Sequence, residues 1–459
     1  MAGGAAQTEP PHMRGPWLWA LVGVAVVAIV LFVLWWGPWL FARDPDHELT
    51  AAQVREAEND VRTTLVQSVG GLVLAGGLVV TYRTFRQNQR DQVKRWEVQD
   101  NTYQLNRAAQ VTDTYSKAVE QLGSEHAPVR LGALYSLENL AQDNPSRRQN
   151  VVDVLCAYLR MPYTPPTSDN PSTESEPAAA EDANPADADA EERKREAAQE
   201  LQVRQTAQRR LAEHLRRPEG TSREDVPTAK ASHKSPFWPG MKLDLTRASL
   251  VNLEMMDISV AYANFDHAEF FGDTQFTHAD FAAGAWFNHA KYHGAARFEY
   301  ATFSRDARFE WVKFVGSADF GGAEFGGQAF FGLAEFDYGG WFNAVKFVGG
   351  AGFGQARFIG GAAFGDAEFI GGAWFGLTKF LNFSVFDGAS FSGDVWFDGA
   401  EFSADVTFEG ARVLKLDLQK LNKFARVWPA GWSVRRDTGD PTLGTLVRQG
   451  QEGFSEPER

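Results

Sequence analysis

The chain has 459 residues, enough for about three ordinary domains and a sizeable core. Acidic residues outnumber basic ones 59 to 45, for a formal charge of -14, which argues against a surface built to attract nucleic acid; residues 241–411 alone hold about 22 Asp and Glu against 10 Lys and Arg. One cysteine, Cys156, excludes an intrachain disulfide and a thiolate metal cluster, while 35 Phe and 43 Gly, mostly in the second half, signal repetition.

Residues 1–16 read as a flexible N-terminus. From Trp17 to Phe41 the chain runs WLWALVGVAVVAIVLFVLWWGPWLF, uncharged and with Trp at both ends, which predicts a transmembrane helix. The run is too long for the apolar core of a signal peptide, and no small-residue cleavage site follows it. A second apolar segment, Thr64 to Tyr82, is weaker because Gln67 and Ser68 are polar; Gly71 and Ala75 give it a small-xxx-small face for helix packing. A buried helix of a soluble domain is the competing reading of that segment. Together they predict a two-helix transmembrane hairpin over 17–82, its helices at about 17–41 and 64–82. The intervening loop carries Asp44, Asp46, Glu48, Glu56, Glu58 and Asp60 against three arginines, whereas Arg83, Arg86, Arg90, Lys94 and Arg95 follow the second segment. The positive-inside rule then places both termini of a multi-pass membrane protein in the cytoplasm.

Residues 84–161 read as a helical unit. Thr84 to Leu122 lack Pro and Gly, and Ala108, Val111, Tyr115 and Leu122 recur at helical spacing, which predicts a long amphipathic helix. Gly123 ends it, Pro128 opens a second helix with Val129, Ala133, Leu137 and Leu140 on one face, and Asn144-Pro145 precedes a third with Val151, Leu155, Tyr158 and Leu159. The latter two resemble a HEAT-type pair. Residues 162–235, rich in Pro, Ser, Ala, Asp and Glu, read as a disordered linker interrupted by a charged helix at about 191–216, almost wholly polar and expected either to stand in solvent or to be a marginal helix.

Over 241–411 one register dominates. Leu245, Leu250, Met255, Val260, Phe265 and Phe270 fall every five residues; thereafter the steps alternate six and five through Phe276, Phe281, Phe287, Tyr292, Phe298 and Phe303 as far as Phe408. Two residues before each large side chain stands a small one, as at Ala263, Ala268, Ala279 and Ala285, so both face inward from an extended chain. An eleven-residue period also suits an overwound helix, but there the two Phe series would sit about 120° to 140° apart, and each glycine would cost about 1 kcal/mol. In the six-residue steps, the pairs Gly326-Gly327, Gly339-Gly340, Gly349-Gly350, Gly360-Gly361 and Gly371-Gly372 are expected to form bulged corners by virtue of glycine's wider backbone range.

Units such as ADF, AEF, ARF and ASF resemble the pentapeptide-repeat family in its Phe-centred form. That resemblance implies a right-handed quadrilateral β-helix, four units per coil and about eight coils. The stretch KAVEQLGSEHAPVRLGALYSLENLAQDNPSRRQNVVDVLCAYLR is similar to the helical part of bacterial membrane-anchored members, where it also follows a membrane hairpin. The fold class expected is therefore a pentapeptide-repeat solenoid preceded by a two-helix transmembrane hairpin and a small all-α unit, in the bacterial cell membrane.

Residues 412–459 leave the register and bring Trp428, Pro429 and Trp432, which suit a cap over the last coil and its Phe rings; a partner-binding Trp patch is the alternative. No catalytic, cofactor-binding or metal-binding residues are predicted, and no cofactor. The glycine run Gly349 to Gly354, GGAGFG, stays in the repeat register and leads into no helix, so it is no nucleotide fingerprint. His267, His278 and His289 recur every eleven residues; His267 and His289 would lie one coil apart, a pair still short of the three or four ligands a metal needs. The expected role is a membrane-anchored, non-enzymatic scaffold whose acidic rod meets a protein partner of unknown identity, with the hairpin in the lipid bilayer and no direct nucleic-acid binding. The alternative is a DNA mimic that binds a type II topoisomerase, which some soluble pentapeptide-repeat proteins are; it demands a continuous acidic stripe.

Overall fold

A computed structural model describes residues 16–41, 50–166, 185–221, 234–419 and 425–450. The expected flexible start, the Pro- and Ser-rich part of the linker over 167–184, residues 222–233 and the end of the tail lie outside the described residues. The chain divides into two units, one through Ala108 and one from Ala109.

In the first unit α1 (Pro16–Phe41) is a 26-residue helix without a charged side chain. Then α2 (Ala51–Leu122) runs for 72 residues without interruption, and it holds the one window among the described residues that is long and apolar enough to cross a membrane by length and composition. The acidic loop expected up to residue 63 is thus helical from Ala51, and no break precedes Thr84. Thr50 and Gln53 explain the early start. The Gln53 Oε1 accepts from the Thr50 backbone N–H at 3.1 Å and from its hydroxyl at 2.8 Å, the side chain at N3 reaching back to the cap as in a capping box. Beyond it no proline interrupts the helix.

The second unit starts with the last turns of α2, where Ala118 and Leu122 are buried, and continues with α3 (Ala127–Asp143), a 3-10 turn at Pro145–Arg147, α4 (Arg148–Leu159) and α5 (Pro185–Leu215). The charged helix expected in solvent is a correction: α5 packs against α3 and α4, with Val203, Ala207, Leu211 and Leu215 at helical spacing and 1 % exposed or less. Its polar residues are buried because they are partnered. Arg204, 3 % exposed, donates to Glu200 at 2.7 Å and to the carbonyls of Leu159 and Met161. Glu200 also receives Arg130 at 3.0 Å and the Tyr158 hydroxyl at 2.9 Å.

From Lys242 onward short parallel strands wind into a β-solenoid. Each strand pairs with the one a coil below, four strands apart from Lys291–Tyr292 onward, and the ladder that begins at Ser249–Val251 contains eight strands, hence eight coils. The coil period follows the sequence spacing: Lys242 pairs with Tyr262 and Ser249 with Glu269, 20 residues on, and after a bulge between Val260 and Tyr262 the offset becomes 22, as for Ala263 with Ala285. Four columns of rings fill the interior, for example Phe265, Phe287, Phe309, Phe331 and Phe353, whose successive centroids lie 4.7 to 5.0 Å apart with ring planes within 5° of parallel. That separation is the inter-strand spacing, so the backbone repeat and ring stacking reinforce each other. Burying each Phe contributes roughly 1.5–3 kcal/mol before chain entropy is subtracted.

Among the glycine pairs expected at bulged corners, Gly339-Gly340 shows the wider backbone range, with Gly339 at φ 123°, and the other four serve a different purpose. Gly326, Gly327, Gly349, Gly360 and Gly371 do not have left-handed backbone; a Cβ on Gly349 would overlap the Gly327 carbonyl one coil below, and on Gly371 that of Gly349. Close coil-to-coil approach, not dihedral freedom, selects glycine there. The left-handed positions are the other corners, where His267, His289, Trp311, Leu333, Gln355 and Leu377 all have φ between 56° and 60°.

Candidate interaction surface

The ring columns leave the interior solid: from Phe265 to Phe391 the inward Phe rings are at most 1 % exposed. Chemistry is therefore confined to the outward positions and to the two ends. The strand register maps each outward strand residue onto one of four ladders.

Two ladders are mainly charged, and both carry the two signs. One runs Glu269, Lys291, Lys313, Glu335, Arg357, Lys379, Glu401. Its members pair along the axis, Lys313 with Glu335 at 2.8 Å, Arg357 with Glu335 at 3.6 Å and Lys379 with Glu401 at 3.1 Å. The other runs Asp280, Thr302, Glu324, Lys346, Glu368, Ser390, Arg412. The remaining two carry charge only in their early coils: Gln275, Arg297, Asp319, Trp341, Ala363, Val385, Thr407, and Asn264, Trp286, Arg308, Phe330, Gly352, Trp374, Trp396. None of the four is a continuous acidic stripe, so the feature a DNA mimic requires is missing from the strand ladders despite the net acidity.

At the N-terminal end two glutamine side chains complete the sheet edge. Gln149 of α4 donates to the Lys242 carbonyl at 2.9 Å and accepts from its N–H at 2.9 Å; Gln208 of α5 does the same to Val251, at 2.9 and 3.1 Å. Each amide stands in for the next strand, which closes an edge that would otherwise invite pairing. Trp238, 1 % exposed, anchors the entering chain: it stacks on His214 at 3.9 Å and donates to Gln142 at 3.0 Å. Both His214 nitrogens face acceptors, the Pro236 carbonyl at 2.7 Å and Glu138 at 2.9 Å. These four residues escaped the sequence reading. The apolar spacing of Val203, Ala207, Leu211 and Leu215 was the available signal that α5, and hence Gln208, has a partner.

At the other end Arg426–Val427 adds a strand beside Val395–Trp396, and the antiparallel hairpin of Trp432–Arg436 with Gly444–Arg448 lies on Arg412–Val413. Trp428 meets the Phe391 ring at 5.3 Å and Trp432 the Phe408 ring at 4.9 Å, so both tryptophans cover ring columns. His267 and His289 do lie one coil apart, their rings stacked at 4.7 Å and 3° from parallel. An imidazole lone pair lies in the ring plane, so parallel rings at that separation do not both aim at one ion; among the described residues no three His, Cys, Asp or Glu gather as metal ligands. Gly349 to Gly354 lie in a coil, with a strand at Ala351–Gly352 and no helix following. Cys156 is buried, and burial is the main cause that pushes its thiol up to about 12, which makes it inert as a nucleophile.

Compared with family models, with curated proteins and with solved structures, the chain has no match in any of the three. The solenoid is consistent with a pentapeptide-repeat architecture on its own ring spacing.

Proposed function

We propose that this protein is a membrane-anchored, non-enzymatic interaction scaffold. In this reading α1 and the apolar part of α2 form a hairpin across a bacterial cell membrane with both termini cytoplasmic, and the solenoid is the right-handed quadrilateral form of the pentapeptide-repeat fold. The observation that carries it is the solid ring-filled interior beside outward ladders that repeat at one coil spacing, an arrangement that offers faces rather than a pocket. The uncharged α1 and the apolar window of α2 support the anchor.

Membrane association is tested by alkaline extraction of membranes carrying the full chain: an integral protein stays in the pellet, and release into the supernatant would overturn the anchor. Recognition is tested by affinity capture from those membranes with the full chain and with a chain beginning at Ala109. A start near Ser235 would remove α4 and α5 and with them the glutamines that close the first coil. Retention of the same partner by both chains is expected. Retention by the full chain alone would transfer recognition to the N-terminal segments.

A further inference from the structure

The ladder through Phe330, Gly352 and Trp374 is free of charge over three consecutive coils together with its flanking positions, whereas Asp366 and Asp387 flank the equally uncharged run of Trp341, Ala363 and Val385. Its outward and flanking positions are Gln328, Phe330, Gly332 and Leu333 in one coil, Gly350, Gly352, Gly354 and Gln355 in the next, and Gly372, Trp374, Gly376 and Leu377 in the third. In a chain that is 23% charged this is a distinct surface. The Trp374 ring lies flat over Gly350 and Gly372, where a Cβ on either glycine would strike it, yet the residue remains 38% exposed. Beside it Gly352 and Gly354 leave an open floor: a Cβ there would meet nothing closer than 3.9 and 3.7 Å. Trp396, also 38% exposed, continues the strip in the next coil, where Asp394 and Asp398 take the flanking positions and so place charge at its end and not at its centre.

We propose that two copies of this chain pair side by side through this strip, about a two-fold axis between Gly352 and Trp374. A two-fold axis there inverts coil order, so Trp374 of each copy faces Gly352 of the other, and Phe330 faces Trp396: bulk meets a gap, and ring meets ring. Charge favours this face. Net-acidic copies repel through most approaches, and here neither brings a charge to the centre. Four coils at about 4.8 Å by one side of about 16 Å give roughly 300 Å² per copy, some 600 Å² in total, which is below the ~1,200 Å² of stable complexes. The pairing is therefore weak and reversible, and on the anchored reading of the function confinement to a bilayer would strengthen it by raising local concentration.

The test is sedimentation of the full chain in detergent across a wide concentration range. Wild type should show a monomer–dimer equilibrium, and Gly352→Arg should raise its dissociation constant at least about tenfold while leaving the melting curve unchanged, because the position faces outward with normal backbone angles. Lys346→Glu on a charged ladder and Thr407→Arg on the ladder of Trp341, Ala363 and Val385 should leave the constant unaltered. A monomer at every concentration overturns the proposal, as does a dimer that Gly352→Arg leaves intact or that Thr407→Arg weakens equally. None of these outcomes depends on alkaline extraction or on partner capture, so the pairing and the scaffold reading fail separately.

Discussion

Replacing Gln208 with alanine tests whether the helices close the solenoid or merely sit beside it. The amide is 4% exposed and makes two hydrogen bonds to the Val251 backbone. Removing it deletes both and leaves an N–H and a carbonyl without partners at a largely buried edge, at about 1–1.5 kcal/mol for each group. The expected loss is therefore about 2–3 kcal/mol, concentrated in the first coil because a solenoid's coils depend on their neighbours. Urea unfolding gives the total, and amide exchange at Val251 locates it. Gln208→Glu sharpens the test. A carboxylate still accepts from the N–H but sets a negative charge against the carbonyl, so burial raises the folded-state pKa of that carboxyl above its unfolded value. The variant should lose stability as pH rises through that raised pKa and recover it as pH falls below, where the acid form donates and accepts as the amide did. A Gln208→Ala cost under about 0.5 kcal/mol with unchanged exchange at Val251 would refute the reasoning.

Tyr292 takes a Phe position in its ring column, fully buried, and its hydroxyl has no hydrogen-bond partner. Tyr292→Phe should stabilise the protein by about 1–2 kcal/mol, read by thermal melting, since it removes a desolvated polar group without altering the stack. Ala344 and Gly349 form a reciprocal pair: Ala344 has φ 54° and is exposed, so Ala344→Gly should stabilise by about 0.5–1 kcal/mol, whereas Gly349→Ala should destabilise by more than ~2 kcal/mol because its methyl would overlap the Gly327 carbonyl. Both are measured by urea unfolding, and the opposite signs would show that the corner roles are reversed. Cys156 should resist thiol reagents at pH 8 in the folded chain and react faster in Gln208→Ala, since α4 is part of the cap that variant loosens.

The coil was legible because large apolar side chains, soon all rings, report every inward position: they leave a spacing of five, then five and six, that no helix accommodates, and the switch from 20 to 22 residues per coil, met where Ser259–Asn264 pairs with Asp280–Trp286, spans the first six-residue steps, Phe270 to Phe276 and Phe281 to Phe287. The same legibility misled at the glycines. A glycine in sequence does not reveal whether it is selected for its dihedral angles or for the absence of Cβ, and stacking made the second reason dominant at Gly349 and Gly371. Corners with φ near 57° hold Trp311, Leu333, Gln355 and Leu377, residue types that carry no local mark of left-handed backbone, as well as His267, His289, Asp257 and Asp366, whose types tolerate it better; the cost is about 1–2 kcal/mol at each, which the ring columns offset.

The cap was hidden for a related reason. Hydropathy treats Arg204, Gln208 and His214 as solvent-facing, yet each is buried because another segment supplies its partner: carbonyls 43 to 45 residues earlier for Arg204, the Val251 backbone for Gln208, Pro236 and Glu138 for His214. Polar burial is a property of the pair, so no scale applied to one residue detects it. The apolar spacing of Val203, Ala207, Leu211 and Leu215 does stand in the sequence, and it predicts that α5 packs on something. What it packs on follows from the solenoid itself: a stack of parallel strands ends in unpaired backbone groups, so the segment preceding the first coil must provide donors and acceptors at strand spacing, and two glutamine amides are the side chains whose geometry matches a peptide.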